Sequence, residues 1–187
     1  ATDISEAQMQ QATPLPNVRY HVCAAETSPF TEHSFDLITV GQALHWFDFE
    51  RFYPEVRRVL KPGGILALVG YNLLQIDAPV DAVIRHLYRQ VLGDYWDAER
   101  RHVDAAYASL PFPFPEFDFP EMAMTYEWSF DHLTGYLGTW SALQHYVKKN
   151  GCSPLDVPMM DALRTAWQPD TTKTVRFPIF GRVGRMQ

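Results

Sequence analysis

The order of apolar runs, caps and breakers along this chain predicts an α/β fold built on a doubly wound, mostly parallel sheet. Three observations carry that expectation. The runs SFDLITV and GILALVGY have the continuous apolar composition of strands buried on both faces. Helical-period segments alternate with the strands over short links, the arrangement of a parallel sheet with crossover helices. The chain's 187 residues, 47% of them hydrophobic, are enough to bury one substantial core.

Taken in order, ATDISEAQMQQA opens with Ser5 and Gln8 at capping-box spacing and Ile4 and Met9 at the staple positions, so a helix starts near Glu6. Asp3 precedes that cap where an incoming strand would end. There it either favours the positive helix start or looks over the carboxyl edge of a sheet, where nucleotide-binding folds use an acid to accept ribose hydroxyls. TPLPN makes a turn, NVRYHVCAA a short strand, ETSPFTEHS a loop and SFDLITV a buried strand. Asp48 caps a helix whose apolar residues Phe49, Phe52, Tyr53, Val56, Val59 and Leu60 fall at helical spacing. Pro54 lacks an amide, which predicts a short first turn, a kink and then the main helix. Lys61, Pro62, Gly63 and Gly64 read as the end of that helix, and GILALVGY as the next strand.

Beyond Tyr71 the composition changes. APVDAVIRHLYRQVL reads as an amphipathic helix with Val80, Val83, Ile84, Leu87 and Val91 on one face. PFPFPEFDFP is an aromatic loop interrupted by proline, which cannot donate to a central ladder. MAMTYEWSF reads as a strand, SFDHLTGYLGTWSALQHYVKKNG as a helical segment ended at Gly151, SPLDVPMMDALRTAWQ as one more helix and KTVRFPIFGRVGR as a closing strand. The expected organisation is one domain over residues 1–187, with a core over 1–77 and a helical, aromatic-rich cap with closing strands over 78–187. In a parallel sheet the binding edge lies at the carboxyl ends of the strands. Those ends carry Asp3, Ala25 and Glu26, the segment Gly41 to Trp46, and Tyr71 with Asn72.

Composition narrows the partners. A formal net charge of −6 gives no attraction for phosphate backbones, so a small molecule is expected and nucleic acid is not. Cys23 and Cys152 are far apart and lack metal spacing, so neither a metal site nor a disulfide is expected, and a cytoplasmic, reducing compartment is. The run ILALVGYNLL is too short to span a bilayer, so no membrane partner is expected either.

NVRYHVCAAETSPFTEHSFDLITVGQALHWFDFERFYPEVRRVLKPGGILALV resembles the central part of class I S-adenosylmethionine-dependent methyltransferases, which have a Rossmann-like fold. TWSALQHY resembles the branch that contains trans-aconitate methyltransferases and their small-molecule relatives. AETSPF before SFDLITV, and RRVLKPGG before an apolar strand, are the pieces that carry the likeness. The family places a D-x-G-x-G-x-G loop between a first strand and a helix. That pattern occurs nowhere in these 187 residues. The resemblance therefore implies an N-terminally truncated member that starts at the tip of the family's second strand. Weak cofactor binding by this stretch alone is then expected, with an exposed sheet edge on which a second copy could pair.

Position by position, the resemblance implies S-adenosylmethionine as cofactor, with Asp3 on the ribose hydroxyls, Ala25 and Glu26 bordering the adenine and Ile4 also among the cofactor-binding residues. Relatives often carry an aspartate where this chain has Ala24, so adenine recognition falls to the backbone and Glu26. Gly41 and Gln42 follow the family's fourth strand and face the cofactor; His45 and Trp46 stand beside the acceptor, with His45 the catalytic candidate. Tyr136, Trp140 and Ser141 are candidates to close the acceptor pocket, or else one aromatic helix face packed on the scaffold. Arg176, Arg182 and Arg185 either hold a polyanionic acceptor or are solvated terminal charges. A carboxylate acceptor needs an orienting donor; for a phenol or alcohol His45 becomes the general base. The competing expectation is a non-catalytic remnant that serves as a binding or dimerisation module, and coding sequence upstream of Ala1 separates the two.

Overall fold

Ser5 caps as its spacing predicts: its Oγ accepts the amide of Gln8 at 3.3 Å and starts α1 (Glu6–Gln10). Ile4 is 75% exposed, however, so the expected staple against Met9 buries little. The computed structural model describes residues 1–168 and 171–187. They divide into two compact units, one of residues 1–70, 105–120 and 181–187, the other of residues 71–104 and 121–180. The aromatic loop over 111–120 and the chain end belong with the first unit.

In the first unit, β1 (Thr2–Asp3) and β2 (His21–Val22) pair in parallel as a two-stranded sheet of their own. NVRYHVCAA therefore contributes two strand residues and not a full strand, because its ladder partner β1 is itself two residues long. β3 (Phe35–Gly41) runs parallel to β4 (Leu60–Tyr71), and the order continues through β7 (Lys173–Arg185) to β5 (Glu116–Phe117). A cavity of about 430 Å³, lined by Ala1 to Asp3 on one side and Leu37 to Gly41 on the other, lies between β1 and β3. The cavity explains why β3 is not buried on both faces: Val40 is its only buried residue and Leu37 is 53% exposed.

α2 (Phe49–Val59) follows a cap in which Asp48 accepts the amide of Glu50 at 3.1 Å. Phe52, Tyr53, Val56 and Val59 are buried as the helical spacing requires. The helix continues through Pro54 without the separate first turn expected. The missing amide would have bonded the carbonyl of exposed Glu50, which water reaches. Lys61 to Gly64 do not cap this helix. Leu60 is already extended and pairs with Phe35, and residues 61–64 form a bulge before Leu37 meets Ile65. Gly63 takes φ +79°, a left-handed value that favours glycine, and its amide donates to the Met186 carbonyl at 3.1 Å. Gly181 on β7 has a different reason: a Cβ there would stand 2.7 Å from the Leu68 carbonyl oxygen.

In the second unit, β6 (Met122–Trp128) pairs antiparallel with the first part of β7, from Met122 opposite Ile179 to Trp128 opposite Lys173. α3 (Ala78–His86) is capped by Asp77 and runs into a π turn over Leu87–Val91. A short α4 (Arg100–Asp104) follows. The helical segment expected up to Gly151 is two helices, α5 (Phe130–Gly138) and α6 (Ser141–Asn150). The break falls where Gly135, Gly138 and Thr139 weaken the helix and the Thr139 hydroxyl donates to the Tyr136 carbonyl at 2.7 Å. α7 (Val157–Trp167) completes the unit, whose core includes Ile84, Leu87, Leu137, Trp140, Leu163 and Trp167. No helix among the described residues is long and apolar enough to cross a membrane.

Candidate functional site

The site builds from three chain turns of the first unit. At the first, the Asp3 Oδ1 accepts the amide of Ser5 at 2.7 Å, so the same short turn ends β1 and presents the cap of α1. At the second, the amide of Cys23 donates to the Asp3 carbonyl at 3.1 Å, bringing Ala24, Ala25 and Glu26 beside it. Glu26 is more than a solvated loop carboxylate. Its Oε1 accepts the amide of Asp48 at 2.9 Å and ties this loop to the start of α2. At the third, β3 ends at Gly41 and Gln42. Gln42 has φ +51°, strained for a residue with a side chain, and its amide donates to the Val69 carbonyl at 2.7 Å.

These turns converge. A cavity of about 260 Å³ is lined by Thr2, Asp3, Ile4 and Cys23 to Glu26, and by Ala43, Trp46 and Phe47. It shares Asp3, Ala25, Ala43 and Phe47, among others, with the larger cavity between β1 and β3. Two of its walls are large apolar side chains left open, Ile4 at 75% and Trp46 at 57% exposure. Gly41 lines the larger cavity, and a Cβ added there would meet nothing within 4 Å, so packing does not require a glycine; the position opens onto space.

Charge fixes the floor of the larger cavity. Glu55 accepts the amide and hydroxyl of Ser28 at 2.9 and 2.5 Å and a two-pronged contact from Arg58. Arg58, with help from Ser28, holds the Glu55 carboxyl down at about 2 against desolvation, which opposes it. Arg58 also donates to the Phe30 carbonyl at 2.7 Å, so one ion pair sets the path of residues 28–30.

Asp3, Ile4, Ala25, Glu26 and Trp46 thus line one cavity, and Gly41 the adjoining one. Gln42 and His45 line neither; His45 is buried at 9% exposure, its Nδ1 3.1 Å from the Tyr107 hydroxyl. Tyr136, Trp140 and Ser141 belong to the second unit. There Trp140 is a core residue with ring contacts to Tyr88, Trp96 and Tyr136, and exposed Ser141 begins α6. Burial raises the phenol of Tyr136 and pushes that of Tyr88 up to about 12, so neither is an ionised group near neutral pH.

The terminal arginines are not simply solvated. Arg182 pairs with Glu116, Arg176 with Glu121 and Gln75, and Arg185 lies over the Phe117 ring. Sequence reasoning placed Ala43 on the binding edge only as part of the segment Gly41 to Trp46, and missed Phe47 on the cavity and Tyr107 on His45. Phe47 is the last residue of the GQALHWF segment and could have been read from it; Tyr107, in the unpatterned AAYAS, carries no local signal. Among the described residues no group of three or more His, Cys, Asp or Glu could hold a metal ion.

Residues 1–68 match the family model described as a methyltransferase domain. A solved structure from Anaeromyxobacter dehalogenans, assigned as a type II methyltransferase, is 43% identical. It superposes with a TM-score of 0.90 over 98% of this chain and 78% of its own. A Dictyostelium discoideum protein assigned as a methyltransferase is 29% identical over 182 residues, 94% of this chain and 69% of that protein. A malonyl-[acyl-carrier protein] O-methyltransferase of Herminiimonas arsenicoxydans is 33% identical over 113 residues, 58% of this chain and 41% of that protein.

Proposed function

We propose, from the premise that the chain belongs to the class I S-adenosylmethionine-dependent methyltransferases, that it methylates a small carboxylic acid on oxygen. The observation that carries this reading is the convergence of Asp3, Ile4, Ala25, Glu26 and Trp46 on one cavity. Those residues fit an adenosyl group. Ile4 and Trp46 offer open apolar faces to a flat ring. Asp3 keeps a carboxylate at the carboxyl end of β1, and Oδ1 alone is engaged by Ser5, which leaves acceptor capacity for a ribose hydroxyl. Ala25 and the ordered Glu26 loop supply backbone groups at the adenine edge.

When bound, S-adenosylmethionine supplies a methyl group on a positively charged sulfur that departs as a neutral thioether. The protein has correspondingly little bond-breaking chemistry to do. Its residues hold the two reactants in line and exclude water. Gly41 ends β3 at the larger cavity, where the methyl donor side of the site would lie, and the strained Gln42 turns the chain away from the strand. His45 and Trp46 follow them and would face the acceptor. A carboxylate acceptor is already a nucleophile near neutral pH, so His45 would orient it by a hydrogen bond. The O-methyltransferase relative, whose name specifies oxygen as its target, favours the oxygen acceptor.

Methyl-labelled donor incubated with the protein and a panel of mono- and dicarboxylic acids and phenols tests the reading. Base-labile methyl esters of the acids are expected. Label transferred to phenols alone, or to amines alone, would contradict it.

A further inference from the structure

Glu26 and Asp48 stand 22 residues apart in sequence and meet through one hydrogen bond, the Asp48 amide donating to Glu26 Oε1 at 2.9 Å. Their places on the smaller cavity give that bond its weight. Glu26 is the last residue of the wall made by Cys23 to Glu26. Asp48 directly follows Phe47, the last residue of the wall made by Ala43, Trp46 and Phe47. The bond therefore joins the ends of two cavity walls that come from separate parts of the chain.

The start of α2 explains why the acceptor for this amide comes from outside the helix. Asp48 is the N-cap, and its own Oδ1 is taken by the Glu50 amide. In a capping box a Glu or Gln at the third helical position reaches back to the amide of the cap residue. That position here is Arg51, whose guanidinium only donates. Glu26 supplies the missing acceptor, and Arg51 Nη2 lies 3.4 Å from Oγ1 of the next loop residue, Thr27.

The same exchange continues down the helix. Glu55 holds the amide and hydroxyl of Ser28, and Arg58 donates to the carbonyls of Ser28 at 3.3 Å and Phe30 at 2.7 Å. Positions 48, 51, 55 and 58 are spaced three, four and three apart, which puts them on one side of a helix. They meet residues 26, 27, 28 and 30 in the same order. A loop that belongs to no strand ladder is thus laid along α2, and the bond to Asp48 closes its cavity end.

We infer that Glu26 is a positioning residue: its side chain leaves the adenine to other groups and clamps residues 24–26 to the start of α2, setting the spacing of the cavity walls before the cofactor arrives. The inference rests on the reading above that this cavity takes an adenosyl group, and it deepens that reading. A site held in shape in advance loses less freedom on binding. The carboxylate then acts on affinity only through the spacing it sets, so its removal weakens every flat nucleoside alike, whatever groups the base carries.

The test titrates adenosine and purine riboside, which is adenosine without its amino group, into the wild type, Glu26→Ala and Glu26→Gln, following the Ile4 and Trp46 resonances by NMR. In Glu26→Ala both nucleosides should lose affinity by the same factor, about fivefold, the loss of one hydrogen bond. In Glu26→Gln, whose side-chain carbonyl still accepts the Asp48 amide, both should stay within about twofold of the wild type. Without any ligand, the Asp48 amide should exchange with solvent slowly in the wild type and Glu26→Gln and faster in Glu26→Ala. A loss confined to adenosine would mark a direct contact with the amino group and overturn the inference. Unchanged affinity for both nucleosides in Glu26→Ala would overturn it too, as would an Asp48 amide that exchanges equally fast in all three proteins. Failure of the underlying reading has a separate signature: neither nucleoside would move the wild-type Ile4 and Trp46 resonances, and the inference would fall with it.

Discussion

Two tryptophans of this molecule have opposite surroundings. Trp46, beside the cavity of the first unit, is 57% exposed, with His45 as its ring neighbour at 4.8 Å. Trp140, in the second unit, is 7% exposed and in contact with the rings of Tyr88, Trp96 and Tyr136. Both lie in segments that the sequence marks as aromatic and site-like. The difference teaches that aromatic density alone does not identify a binding wall. An aromatic ring available to a ligand has to leave area open next to a cavity, and Trp140 has almost none to offer.

The largest effect that would break the contrast is on stability. Trp140→Ala should cost about 3–5 kcal/mol in denaturant unfolding, because it removes a buried ring and leaves a void among three others. A loss under about 1 kcal/mol would show that the cluster is not the core it resembles.

Acid probes the first unit next. Glu55 titrates at about 2 in the folded protein against an ordinary 4.5, so its contribution is fully present above 4.5 and is lost as pH falls toward 2. The size is on the order of 1–3 kcal/mol. Acid titration should therefore destabilise the wild type across that window by more than it destabilises Glu55→Gln, which has lost the contribution at every pH. Parallel acid curves for the two would contradict the ion pair with Arg58 as the fastening of residues 28–30.

The smallest effect on the fold, and the sharpest on function, belongs to the exposed tryptophan. Trp46→Ala should change unfolding stability by no more than about 0.5 kcal/mol. It should weaken S-adenosylhomocysteine binding, read by calorimetry, by about tenfold through loss of one stacking wall. If stability falls and affinity does not, the roles of the two tryptophans have been exchanged.

Much of this was legible from local chemistry. Ser5 with Gln8 and Asp48 with Glu50 announce helix starts because a cap is a contact between residues two or three apart. SFDLITV and GILALVGY announce strands, and the segment after the first of them carries Ala43, Trp46 and Phe47 of the cavity. The sequence was misleading where one residue type serves two geometries. Lys61 to Gly64 has the composition of a helix end, but a glycine at positive φ suits a strand bulge equally, and only the pairing of Leu60 with Phe35 decides between them. It was silent where a contact spans the chain. Nothing near Tyr107 points to His45, and nothing near Arg182 points to the carbonyls of Tyr107 and Leu110.

The central claim is that the turn after β1, the loop after β2 and the segment after β3 hold one adenosyl group between Ile4 and Trp46. Titrating the protein with S-adenosylhomocysteine while following the Ile4 methyl and Trp46 indole resonances tests it directly. Both should shift and saturate together, at the affinity that calorimetry gives. Saturable binding that leaves both resonances unmoved would put the cofactor elsewhere and contradict the account.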